Sequence, residues 1–73
     1  MLSVDVQIMI ASGVCFVLDS NSPTLTNTMM KVLETHWDEF EIPIKKNIIS
    51  EFNGFLSKKQ DEEMFSFVQR KVI

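Results

Sequence analysis

The chain has one cysteine, no tyrosine, two glycines and two prolines in 73 residues. Each scarcity removes a class of protein. A lone Cys15 cannot close an internal disulfide, so the chain is not a disulfide scaffold. Two isolated glycines, Gly13 and Gly54, cannot build a phosphate-cradling loop. Few Gly and Pro beside six Phe and one Trp exclude disorder and low complexity. No Lys or Arg precedes Lys31, so the apolar run from Val6 to Leu18 lacks the positive flank of a secretory signal. That run is also short of the about 20 residues that span a bilayer. A cytoplasmic protein that does not enter a membrane is expected, and a free thiol fits a reducing compartment.

What is present is apolar surface. Hydrophobic residues make up 45% of the chain, and a chain this short has little interior to hide them in. One domain covering residues 1–73 is expected, either with an unusually full core or with apolar surface that meets a partner. The net charge is −3. Residues 1–41 hold one Lys against six acids (−5), and residues 42–73 hold six cations against four acids (+2). Such a division suits electrostatic pairing with another protein or another subunit. It does not form the basic stripe of a nucleic-acid binder, because the cations stand beside acids.

Residues 3–18 read as a helix capped by Ser3, with Asp5 at its positive end. Its apolar residues fall on every side, with Val4, Ile8, Ala11, Cys15 and Leu18 on one face. A helix apolar all round is buried all round, so Ile8, Ala11, Cys15 and Leu18 are assigned to self-association in a homodimer or larger oligomer. The competing reading is a β-hairpin turning at Ser12-Gly13, which would leave a hairpin plus three helices.

Ser22 and Pro23 open the second helix as N-cap and first residue. Leu25, Met29, Val32, Leu33, His36, Trp37 and Phe40 continue one face, and Pro43 sets the end near Phe40 or Glu41, with Ile42 extended. A third helix restarts at Pro43 through Ile44, Ile48, Ile49, Phe52, Phe55 and Leu56. Ser57 and Gln60 have capping-box spacing for a fourth, with Met64, Phe65, Phe67, Val68 and Val72 as its apolar set. Helices three and four could also run on as one bent helix. The expected fold is all-α, a bundle of about four short helices with short, antiparallel connections.

Little in the chain suits turnover. Cys15 and His36 could serve as nucleophile and base, but Cys15 lies in the most apolar stretch, where a thiolate is disfavoured. One His and one Cys do not make a metal site. The acids Asp38, Glu39, Glu41 and Asp61, Glu62, Glu63 read as helix-terminal surface groups. No catalytic residue, metal or cofactor is expected. Recognition remains: Trp37 and Phe40 as aromatic anchors, and Asp38, Glu39 and Glu41 as an acidic rim for Lys or Arg on a partner. For Trp37 itself the structural role is favoured over the exposed anchor: facing inward, it locks the second and third helices together. The alternative function is an oligomer binding nucleotide or nucleic acid through Lys45, Lys46, Lys58, Lys59, Arg70 and Lys71.

The stretch His36-Trp37-Asp38-Glu39-Phe40-Glu41-Ile42-Pro43, followed by Lys46 and Ile48-Ile49, resembles small helical accessory proteins encoded by bacteriophages. The resemblance covers about fifteen residues. It implies a protein that acts by binding a host protein, as an inhibitor or adaptor, and it carries no catalytic residues across.

Overall fold

Four helices account for most of the chain in the computed structural model, which describes residues 2–71. They are α1 (Val4–Ser20), α2 (Pro23–His36), α3 (Ile42–Leu56) and α4 (Glu62–Lys71). No strand occurs among the described residues, and Ser12-Gly13 lies inside α1 rather than in a hairpin turn. Val72, assigned above to the apolar set of the fourth helix, lies outside the described residues.

Local signals set the ends. The Ser3 hydroxyl accepts from the Val6 N–H and the Ser22 hydroxyl from the Leu25 N–H, so each N-cap satisfies one orphan donor. Asn21 ends α1 at φ 55°, a left-handed conformation that Asn tolerates better than most residues.

Three boundaries differ from expectation. α2 ends at His36 and passes through a single 3-10 turn, Trp37–Glu39, before the chain extends at Phe40. The extended residues ahead of Pro43 are thus Phe40 and Glu41, and Ile42 already belongs to α3. The Ser57–Gln60 capping box does not form. Ser57 closes α3, its hydroxyl donating to the Gly54 carbonyl, and α4 starts later with the Asp61 carboxylate accepting from the Met64 N–H at 3.0 Å. Asp61 wins because its charge favours the helix N-terminus.

The helices alternate in direction. Gln7 near the start of α1 bonds Glu41 at the start of α3, and Cys15 further along α1 faces Glu51 further along α3. α1 and α3 therefore run the same way and pack on each other, while α2 and α4 run back. The Arg70–Glu34 ion pair at 2.8 Å joins the ends of the two returning helices.

The core lies between them: Val14 and Leu18 from α1, Met29, Met30 and Leu33 from α2, Ile48 and Phe52 from α3, and Met64, Phe67 and Val68 from α4. An aromatic seam runs through it. Phe67 stands edge-on to Trp37 at 5.2 Å and to Phe52 at 5.7 Å between centroids, and Trp37 tilts against Phe40 at 6.1 Å. These separations fall within the favoured range for aromatic pairs.

Candidate binding surface

Trp37 and Phe40 are not surface anchors. Their exposures are 5% and 4%, and they form the floor of the α2–α3 corner. The 3-10 turn places Trp37 inward against Phe67 and under the Lys45 ammonium, 5.8 Å from the ring centroid. Of the expected rim, Asp38 and Glu41 are exposed. Glu39 is engaged: its carboxylate meets His36 Nδ1 at 2.5 Å, and that contact holds its pKa below the ordinary carboxylate range. Glu34 is likewise taken up by Arg70 and Lys71, with the Arg70 hydrogen bond the main cause of its lowered pKa. The acidic rim is thus thinner than the sequence suggested.

The corner is held from the α1 side by Gln7, a polar residue 1% exposed within an apolar run. Its Oε1 accepts from the Glu41 N–H at 2.8 Å and its Nε2 donates to the Leu2 carbonyl at 2.9 Å. A buried amide must find such partners or cost free energy. Gln7 interrupts the apolar run from Val6 to Leu18, and an isolated amide within an apolar helix is the signal that it bridges to something.

The face assigned to self-association does not stand as one surface. Leu18 is buried in the chain's own core, and Ala11 packs partly against it. Ile8 and Cys15 do reach the surface, but along the α1–α3 groove beside Ile44, Asn47 and Glu51. The core-facing line of α1 is Gln7, Val14 and Leu18, rotated from the line expected.

That rotation exposes a different stripe. Asp5, Met9, Ser12, Phe16 and Asp19 recur at spacings of four, three, four and three, so they share one side of α1. Met9 is 71% exposed and Phe16 75%. Val6, Ile8 and Val4 add partly exposed apolar area on the flanks. Asp5 and Asp19 stand at the two ends of the stripe, and no ion pair joins either to another described residue. No Lys or Arg lies anywhere on α1.

Cys15 and His36 are not brought together. Cys15 lines an open cleft of about 410 Å³ with Asp19, Glu51, Lys58 and Lys59. The Glu51 carboxylate beside it, then desolvation and Asp19, push the thiol pKa up, away from the thiolate that nucleophilic chemistry requires. His36 is bonded instead to Glu39. Among the described residues no group of three or more His, Cys, Asp and Glu could hold a metal ion. No helix among them is long and apolar enough to cross a membrane.

Four of the six C-terminal cations are engaged inside the bundle. Lys45 covers Trp37, Lys59 reaches the Asn21 side chain and the Phe55 ring, and Arg70 and Lys71 meet Glu34. Lys46 and Lys58 are left, on different parts of α3 and its exit. Compared with known proteins, the chain matches no family model, no curated protein and no solved structure.

Proposed function

We propose that the protein is a non-enzymatic binding module, an inhibitor or adaptor that occludes a surface of a larger protein. The observation that carries this reading is the exposure of Met9 and Phe16 on a helix whose opposite side is sunk in the core. The anchor-and-rim arrangement expected at Trp37 is supported instead on α1, with Phe16 and Met9 as anchors and Asp5 and Asp19 as the rim. An aromatic side chain can bury on the order of 150–250 Å², so leaving Phe16 in water forgoes favourable burial that a partner can supply. A rigid helix also loses little conformational entropy when it docks. The resemblance to phage accessory proteins makes a host protein the expected target.

Affinity capture from a bacterial lysate tests the reading, with three versions of the chain as bait. Wild type and Asp38→Lys/Glu41→Lys should retain the same protein, and Met9→Ser/Phe16→Ser should lose it at unchanged helicity. Capture that ignores the Met9/Phe16 substitutions overturns the assignment of α1.

A further inference from the structure

From the charges that bracket the stripe, we infer the chemistry of its partner: an amphipathic helix whose apolar face is bracketed by Lys or Arg. This rests on the reading of α1 as a binding surface and adds what binds there.

The stripe carries Met9 and Phe16 on either side of an exposed Ser12 and is acidic at both ends. Asp5 and Asp19 are fourteen residues apart, about 21 Å at the helical rise of 1.5 Å per residue. Met9 and Phe16 lie between them, two turns apart. A partner helix laid along this line meets apolar surface over about two turns and a carboxylate at each end. Cations at matching separation complete it, and like charges there are penalised. Helix-in-groove recognition reads such anchors at helical spacing.

A second copy of the chain is disfavoured by the same spacing. Laid antiparallel, with Ser12 opposite Ser12, the stripe places Asp5 of one copy against Asp19 of the other, twice. Laid parallel, it places each Asp against its own counterpart. Neither register offers a cation from α1. Lys58 and Lys59 share a cleft with Asp19, but Lys59 is already bonded to Asn21. An anionic bilayer is disfavoured as well, because interfacial helices carry Lys and Arg on their polar face and α1 carries only acids.

The test uses two labelled synthetic helices. Both carry Leu along one face; one has Lys at two positions fourteen residues apart on that face, the other Glu. Fluorescence anisotropy against the full chain should show the Lys helix binding at least about tenfold tighter than the Glu helix, with the advantage shrinking as salt rises. Asp5→Lys/Asp19→Lys should invert the preference. Asp5→Asn/Asp19→Asn should abolish it without a charge reversal that could disturb the helix. Met9→Ser/Phe16→Ser should weaken both helices about tenfold or more. Three results overturn the proposal: equal binding of the two helices, a preference indifferent to both Asp5/Asp19 pairs, or a wild-type dimer in light scattering that Met9→Ser/Phe16→Ser disperses. Should the Lys helix fail to bind while lysate capture still depends on Met9 and Phe16, the partner chemistry falls and the binding surface stands.

Discussion

Gln7 and Glu41 are 34 residues apart in sequence and joined by one hydrogen bond, the Gln7 side-chain oxygen accepting the Glu41 N–H at 2.8 Å. The bond ties the start of α1 to the start of α3.

Replacing Gln7 by Leu keeps roughly the volume but removes the hydrogen bonds to the Glu41 N–H and the Leu2 carbonyl. A cost of about 1–3 kcal/mol follows, a drop of several degrees in melting temperature for a domain of this size. Amide exchange at Glu41 should quicken more than exchange in α4. Uniform quickening across all four helices would show that Gln7 contributes only to global stability.

Phe67 touches both Trp37 and Phe52, so it is the centre of the aromatic seam. Phe67→Ala should cost about 3–5 kcal/mol, much of the 4–11 kcal/mol or so that a chain of this length commands. Urea unfolding should show a largely unfolded or poorly cooperative protein. Phe65→Ala, on the exposed side of the same helix, should change stability by less than about 0.5 kcal/mol.

Gly54 sits in the last turn of α3 with an ordinary negative φ, and a Cβ there meets no atom within 4 Å. Gly54→Ala therefore restricts the unfolded chain without strain in the folded one. A gain of about 0.4–1 kcal/mol is expected, read as a raised midpoint in thermal unfolding. A lowered midpoint would mean that the C-terminal turn of α3 needs the freedom glycine provides.

Glu34 makes stability pH-dependent in a stated direction. Its pKa is lowered, first by the Arg70 hydrogen bond and then by the Arg70 and Lys71 charges. The contribution is therefore fully present above the ordinary carboxylate value of 4.5 and is lost as the pH falls through the lower folded value. Both side chains are partly exposed, so solvent and salt keep the effect small. Glu34→Gln should melt below wild type near neutrality, and the difference should vanish in acid. A constant difference at every pH would assign the effect to packing.

The sequence revealed the number and type of helices because the apolar residues of α2, α3 and α4 recur at helical spacing and Ser3, Ser22 and Pro23 mark the starts. It did not reveal which side of α1 is buried. That helix is apolar all round, so periodicity carries no phase; in the fold Gln7, Val14 and Leu18 face the core, and the Gln7 amide finds its partner 34 residues on. Nor could spacing say that Trp37 leaves the α2 register. The 3-10 turn rotates its ring toward Phe67, a long-range contact that no local pattern encodes. The candidate surface followed the same error, since burying Trp37 and Phe40 removed one anchor and rotating α1 exposed another.

The chain owns a single indole and no tyrosine, and that indole is walled in by Phe40 and Phe67. Its emission therefore acts as a gauge of the interior alone: it reports when the seam opens and stays silent when something settles on Met9 and Phe16. Any substitution on that outer stripe can be checked for intact architecture by the protein's own light, with no dye attached.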